Sequence, residues 1–527
     1  MKRTFNILFA LALVVGFSLV ATTPVAAAVI PVLPGVGTIA AAVAASNPLG
    51  GDIIQLVVPG GIYIEPQITI PWNLTIMGLP GPKPVIQPVA PLQADGFASA
   101  WFLVNPGVTF VMQDVILDGT PAFVHQAIRN HGMTTIQNVD FLNIRGSLSG
   151  SPYKGIGVQS YGGLVKGGGG SDSHGAAKQP MPASQLFVLG CTFQGMGRIG
   201  VLVKGTLSTA TVSGCIYTGR GNGDWLDYGV EIGAGGQGTI TGNAMTNCGS
   251  STTAWASAGI LVTDAYGPGS GATIIGNNLS NNEYGIAAAY NASDASVVTA
   301  HFNNISGNVE GIHTPSTVVT TDGECNWWGD ASGPTHSGNP GGIGDPVTDF
   351  VDYTPWLTEA YALQRSVAAP GGTAYFTPVQ GSIEGLTAVP PPATPPVTLP
   401  YGMFNFTICC FTASPVTLTV TLPGPVPVGT KWYKYNGGAW DPLPIGDDDG
   451  DNVITVTLQD NVSPDDEDLI AGQITDQGGP GYPGAGAVGW ETYPVNKVRV
   501  FLPWIALFVA IAAGASLLVL RQRRTQT

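Results

Sequence analysis

Between Asp114 and Ile312 the chain repeats one pattern of apolar and polar positions. Each unit opens with a short apolar strand that carries Cys, Asn or Asp at a fixed place. It then continues with Gly, once Ala, followed by a β-branched residue. The second half reads Ala127-Ile128, Gly155-Ile156, Gly200-Val201, Gly229-Val230, Gly259-Ile260, Gly285-Ile286 and Gly311-Ile312, at successive spacings of 28, 45, 29, 30, 26 and 26 residues. A period of about 20–50 residues is the mark of a solenoid, in which each unit buries its apolar face only against its neighbours. After the Gly the residues alternate, as in Val201-Leu202-Val203, Val230-Glu231-Ile232 and Ile260-Leu261-Val262. The β-branched residues are therefore expected to point inward and the middle residue outward.

Aligning the first halves gives Asp114-Val115-Ile116, Val139-Asp140-Phe141, Cys191-Thr192-Phe193, Cys215-Ile216-Tyr217, Asn243-Ala244-Met245, Asn277-Asn278-Leu279 and Asn303-Asn304-Ile305. If the coils are parallel, Asn243, Asn277 and Asn303 share one column and hydrogen-bond along the axis, with Cys191 and Cys215 filling the same slot as small apolar residues. Residues 57–78 follow the same scheme, with short strands separated by Gly, Pro and Asn. A β-propeller would need four antiparallel strands in about 40–45 residues. Units of 26–30 residues favour a parallel β-helix instead. The 45-residue step holds a Gly-Ser-rich stretch, 162–177, that is expected to loop out of the stack.

The run Gly51-Asp52-Ile53-Ile54-Gln55-Leu56-Val57-Val58-Pro59-Gly60-Gly61-Ile62-Tyr63 resembles the opening of NosD-like and pectate-lyase-like right-handed β-helix proteins. Gly276-Asn277-Asn278 resembles one of their coils. Asn326-Trp327-Trp328-Gly329-Asp330 through Val351-Asp352-Tyr353-Thr354-Pro355-Trp356-Leu357 resembles the segment that closes many of them. The resemblance spans residues 35–360 and implies a right-handed parallel β-helix, here bounded as 29–366.

Residues 367–400, with Pro390, Pro391, Pro392, Pro395, Pro396 and Pro400, read as a stiff linker. Alternation then returns at 403–408, 416–422, 431–435 and 453–458, the pattern of an antiparallel sandwich over 401–480. Phe404-Asn405-Phe406-Thr407, Thr417-Leu418-Thr419-Val420-Thr421-Leu422-Pro423, Gly429-Thr430-Lys431-Trp432-Tyr433-Lys434-Tyr435 and Asp451-Asn452-Val453-Ile454-Thr455-Val456-Thr457-Leu458 resemble the choice-of-anchor U domain. The acidic repeat of that family is reduced here to Ser463-Pro464-Asp465-Asp466-Glu467-Asp468. This second resemblance implies attachment rather than catalysis.

The two ends change the picture of where the protein works. Lys2-Arg3, an apolar stretch over 5–20 and Ala26-Ala27-Ala28 have the form of a secretory signal, assigned to 1–28. Residues 500–520 carry no charge and are long enough to cross a hydrocarbon core of about 30 Å. Linker 481–499 precedes them. The tail 521–527 carries Arg521, Arg523 and Arg524, so the positive-inside rule keeps it cytoplasmic. The fold class expected is thus all-β: a right-handed parallel β-helix, a small β-sandwich and one C-terminal transmembrane helix, displayed at the cell surface as a single-pass membrane protein.

Formal charge is −15, with 34 acidic against 19 basic residues, and seven of the basic ones (Lys2, Arg3, Lys497, Arg499, Arg521, Arg523 and Arg524) lie near the ends. The acidic middle repels nucleic acid and attracts divalent cations. Of the six cysteines, none has a metal-ligand spacing, and export permits disulfides whose pairing the sequence leaves open.

Candidate chemistry falls in two places. Arg198, Asp227, Ser257 and Glu283 each stand two before a Gly-β-branched step, and Asp224, Arg220 and Glu231 lie near. Stacked in register on an outer face, Arg198, Asp224, Asp227 and Glu283 are the candidate catalytic set of a polysaccharide lyase or glycoside hydrolase, whose chemistry needs paired carboxylates with a base or a cation. The bland reading is an ion pair between rungs. His125, Arg129 and His131 in one coil, and the aromatic residues Trp225, Tyr228, Trp255 and Tyr284, are weaker candidates for a site and a sugar-stacking strip. Asp447, Asp449 and Asp451 form an acidic turn that offers oxygen ligands to calcium, without the closing Glu of an EF-hand. No cofactor is required by the sequence. The function expected is a non-catalytic surface or adhesion protein that binds extracellular polysaccharide or envelope proteins and reaches the membrane through its C-terminal helix, with polysaccharide cleavage as the alternative.

Overall fold

Coils in the body of the stack contribute one strand to each of three parallel sheets, and the end coils add strands only to the longest. A 12-stranded sheet runs from Val29–Val32 to Val351–Asp352, and two 9-stranded sheets run from Ile62–Glu65 to Asn304–Ser306 and from Ile68–Ile70 to Glu310–His313. The computed structural model describes residues 27–92, 100–146, 155–163, 181–223, 225–250, 257–436 and 438–483. Nearly all of the expected signal sequence and of the Gly-Ser-rich insertion, and the whole expected membrane span, lie outside them. No helix among the described residues is long and apolar enough to cross a membrane.

The register of the third sheet places Ile128, Val158, Val201, Val230, Ile260, Ile286 and Ile312 in one inward column. The glycines before them are set by close approach. A Cβ on Gly200 would lie 2.6 Å from Gly229 O and 2.8 Å from the Tyr217 ring, and one on Gly229 would lie 2.7 Å from both Gly259 O and Met245 Sδ. The register also corrects the alignment at one rung. Gly157-Val158, not Gly155-Ile156, stands beside Gly200-Val201, because Ile156 pairs with Ile199.

The second sheet shows the expected Asn column and extends it. Asn243 Nδ2 donates to Asn277 Oδ1 at 2.9 Å, Asn277 Nδ2 to Asn303 Oδ1 at 2.9 Å and Asn303 Nδ2 to Asn326 Oδ1 at 2.9 Å. Each Oδ1 also accepts the backbone N–H of the rung before, so one amide satisfies two donors across a turn. Cys191 and Cys215 continue the column as free, buried thiols. Thr192 pairs with Asp140 and Asp140 with Ile116, so the column continues through Val139 to Val115, and Asp114 belongs to the turn before it. That turn is left-handed in rung after rung: φ is 57° at Asp114, 51° at Asn138 and 58° at Phe302, with glycine at 190, 214, 242 and 276.

One core fills the coil, with stacked rings such as Phe141 and Phe193 at 4.7 Å between centroids. Its first end is covered by a helix, Thr38–Ala45, whose N-terminal N–H groups at Ile39 and Ala40 donate to the Glu65 carboxylate at 2.7 and 3.1 Å. Its last rungs are closed by the fully buried Trp328.

The second domain is a sandwich of a four-stranded and a five-stranded antiparallel sheet. Part of the segment 367–400, expected to be linker, belongs to it. Arg365–Ala369, Gly372–Pro378 and Ser382–Val389 are strands, with Ala374, Phe376 and Ile383 in the core. Apart from the two short turns between these strands, only the proline-rich end of that segment lies outside them. A disulfide between Cys325 and Cys410 joins the last coils to the sandwich. Beside it Thr358 N and Oγ1 each donate to the Glu384 carboxylate at 2.7 Å.

Candidate functional site

The outer face of the long sheet is built by alternation. Inward positions such as Ala210, Val212, Ile240, Ile274 and Val298 are buried, which turns the residues between them outward. One outward column reads Phe187, Thr211, Thr239, Thr273, Thr299, Asp322 and Asp352. Four threonines thus repeat at the strand spacing of about 4.8 Å and lead into two carboxylates. With Thr209, Gln237 and Gly271 in the neighbouring column, they line a shallow groove of about 360 Å³.

At the end nearest the sandwich, His301 Nε2 lies 2.6 Å from Asp322 Oδ1. Donor atoms of His301, Asp322 and Glu324 all fall within 4.8 Å of one another, the only such group of three among the described residues. Burial pushes the Glu324 carboxyl up, the Asp352 and Asp322 charges push it further, and His301 opposes them. Such a donor set suits a divalent metal with mixed N and O ligands. It equally suits a carboxyl whose pKa is raised by burial and by neighbouring carboxylates.

The residues proposed from sequence lie on a different face. Arg198, Asp227, Ser257 and Glu283 do stack on successive rungs: Tyr228 N donates to Arg198 O, Ala258 N to Asp227 O and Tyr284 N to Ser257 O. Asp227 is nevertheless inside the coil and not on its outer surface. It is 0% exposed, accepts from Tyr217 Oη and, at 2.6 Å, from Arg220 N, and its own N–H donates to Ser257 Oγ at 3.0 Å. Burial raises its pKa to about 6, against these hydrogen bonds. Glu283 is half-buried and accepts from Ser257 N at 2.9 Å; burial raises its carboxyl as well. Arg198 is buried with its guanidinium 5.6 Å from the Tyr228 ring centre. Asp224 lies outside the described residues. The column therefore holds rungs together, with Asp227 closed to a polymer outside.

The weaker candidates are also absorbed by the fold. Arg129 Nε donates to Gln126 at 2.8 Å and its Nη2 to Gln159 at 3.0 Å, and His125 and His131 are buried. Of the aromatic strip, Tyr228 is buried, Trp225 stacks under Arg220 at 3.9 Å, Tyr284 stacks on His313 at 4.3 Å, and Trp255 lies outside the described residues. In the acidic turn, Asp449 accepts from Asp451 N at 3.1 Å and Asp451 from Val453 N at 2.6 Å. Asp447, Asp449 and Asp451 are not among the donors that converge within 4.8 Å. The threonine column went unread in the sequence; its signal was a Thr at the centre of each strand preceding an Asn-column residue.

No curated protein matches the chain. Among solved structures, the PL6 family alginate lyase AlyGC is 16% identical, over 55% of this chain and 40% of its own length, with a TM-score of 0.32. The tailspike protein gp49 from Acinetobacter baumannii bacteriophage Fri1, a capsular polysaccharide depolymerase, is 10% identical over 86% of this chain and 84% of its own, with a TM-score of 0.26. Thus the chain spans well under half of the lyase's length. Residues 127–321 match the family described as right handed beta helix region, and the parallel coils that contain them are a right-handed β-helix.

Proposed function

We propose that this protein presents the outer face of its long sheet to a linear polysaccharide and binds it without cleaving it, at a cell surface to which the sandwich and the C-terminal apolar segment attach it. The column Thr211, Thr239, Thr273 and Thr299 carries the reading. A hydroxyl both donates and accepts, so an evenly spaced row of them offers a sugar chain the same contact at every rung. Affinity should then rise with chain length until the groove is filled. Binding of neutral and acidic oligosaccharides of increasing length, with and without calcium, tests this. Thr239→Glu together with Thr273→Glu should abolish binding in a protein that still folds. Binding unaffected by the pair, or no binding by any glycan, rejects it.

Cleavage is the second reading, favoured by the His301, Asp322 and Glu324 cluster at the groove's end. A carboxyl raised in pKa beside a second carboxylate is the arrangement that glycosidic cleavage uses. Release of reducing or unsaturated ends that disappears in Glu324→Gln would establish it over the first.

A further inference from the structure

The sandwich holds a buried pair that neither reading uses. Lys434 lies in strand Lys431–Asn436 and Asp476 in strand Gln473–Gly481, antiparallel neighbours in which Lys434 stands opposite Gly478. Two residues from that pairing, Asp476 shares the inner face with Lys434. Both side chains are 0% exposed, and Nζ lies 3.0 Å from Oδ2. Nζ also donates to Asp465 O at 2.7 Å, which holds the amine in place. Trp432 Nε1 reaches Oδ1, the other carboxyl oxygen, at 3.2 Å. Gly478 makes room for this, because a Cβ there would overlap Trp432 Nε1 and lie 2.8 Å from Asp476 Oδ1. Around them is the apolar core, with the Phe404 ring stacked on Trp432 at 6.4 Å.

We propose that Lys434 and Asp476 condense to a side-chain amide, an intramolecular isopeptide bond that staples these two strands. A buried ion pair in a dry core is costly to keep, because desolvation offsets most of its attraction. Condensation removes both charges. An amine nitrogen held against a carboxyl at about 3–3.5 Å is already in attacking range.

The atoms balance without any other reagent. One proton passes from the Lys434 ammonium to Asp476 Oδ2, leaving an amine and a carboxylic acid. Nζ attacks Cγ, and the charge that develops on Oδ1 is met by Trp432 N–H, as in an oxyanion site. A second proton moves from nitrogen to Oδ2, the Cγ–Oδ2 bond breaks and water leaves. Glu467 neighbours the pair. Its Oε1 accepts from the N–H of Gln477, next to Asp476, at 2.8 Å. Burial raises its carboxyl, and the charges of both Lys434 and Asp476 act on it. Burial likewise raises the Asp476 carboxyl, against the pull of Lys434.

Mass spectrometry of proteolytic fragments from the full chain tests the bond. The peptide containing Lys434 should appear joined to the one containing Asp476, lighter than their sum by one water, with the separate peptides depleted. Lys434→Arg keeps the charge but cannot form this amide, and should yield separate peptides only. Recovery of both wild-type peptides unlinked from protein shown to be folded by circular dichroism would overturn the proposal. So would the same linked mass in Lys434→Arg.

Discussion

In the β-helix the buried ladders are neutral and repeat: Asn243, Asn277, Asn303 and Asn326 form one column, and Asn282 and Asn308 a second. In the sandwich Lys434 and Asp476 occur once, an amine facing a carboxyl with both side chains 0% exposed. The difference follows from symmetry. Parallel coils translate each turn onto the next, so one amide can donate forward along the axis while accepting from the rung behind. Antiparallel strands offer no such translation, and a buried polar group there needs a dedicated partner. Asp345 shows the same logic at a boundary. It ends the second ladder by accepting from Asn308 Nδ2 at 2.8 Å and from Asn308 N at 2.9 Å, where no further rung waits to receive a donor.

The comparison is broken most severely in the sandwich. Measured against Lys434→Arg, which keeps the cation but not the amide, Lys434→Met leaves Asp476 buried without its cation and should cost about 3–5 kcal/mol, the usual range for one half of a buried pair. Lys434→Met with Asp476→Leu should recover most of that loss, as read from urea midpoints. A double variant no better than the single one would mean the pair's worth is not electrostatic.

The ladder is next. Asn277→Leu removes the acceptor of Asn243 N and Nδ2 and the donor to Ile240 O and Asn303 Oδ1. Several buried partners are orphaned at once, for a loss of about 3–4 kcal/mol. Hydrogen exchange should show the opening spread to the rungs on both sides, as expected where each coil is stabilised by its neighbours. Exchange confined to one turn would refute a cooperative ladder.

Asp227 sharpens the contrast from inside the helix, where a buried acid shares its column with Arg198, Ser257 and Glu283. Its folded pKa of about 6 lies above the ordinary carboxylate value, so the folded chain holds the proton more tightly than the unfolded one. The stability it contributes is complete below about pH 4 and is lost as pH rises through about 6, by about 3 kcal/mol. Asp227→Asn removes this titration, and the difference between wild type and variant across pH 4 to 7 isolates it from the other acids. A flat difference would place the carboxyl in water.

The repeat was legible because each rung had to supply an inward β-branched residue and a glycine at the same point. It slipped by two residues at Gly155 because Gly155-Ile156 and Gly157-Val158 offer the same dipeptide type, and only pairing of Ile156 with Ile199 decides between them. The sandwich was half legible. Strands 372–378 and 382–389 stand between a helix already closed and a run of prolines, and were read with the prolines. The ladder of Asn282, Asn308 and Asp345 sits in turns, where no alternation announces it. The threonine column left a local trace, a Thr four residues before Cys215, Asn243, Asn277 and Asn303, but alternation alone does not mark an outward Thr as part of a site. The pair Lys434–Asp476 left none, because its members are brought together by register across a long loop and not by local spacing.

The smallest effect tests what the Asn slot tolerates. Cys215 lies between Cys191 and Asn243, and its N–H already donates to Asn243 Oδ1 at 2.8 Å. Its sulfur sits 3.4 Å from Val188 O and 3.4 Å from Cys191 N, at the places where Asn243 sets Nδ2 against Val212 O and the next Asn sets Oδ1 against Asn243 N. Asparagine at 215 would thus extend the ladder by one rung, with amide contacts in place of weak sulfur ones. The gain of a net hydrogen bond, about 0.5–1.5 kcal/mol, is partly offset by the larger side chain in a packed column. Cys215→Asn should therefore raise the urea midpoint by the equivalent of up to about 1 kcal/mol. A loss larger than that would show a slot shaped for sulfur. Neutral polar and small apolar residues would then not be interchangeable along the column, and the translational rule would hold only within the asparagine rungs.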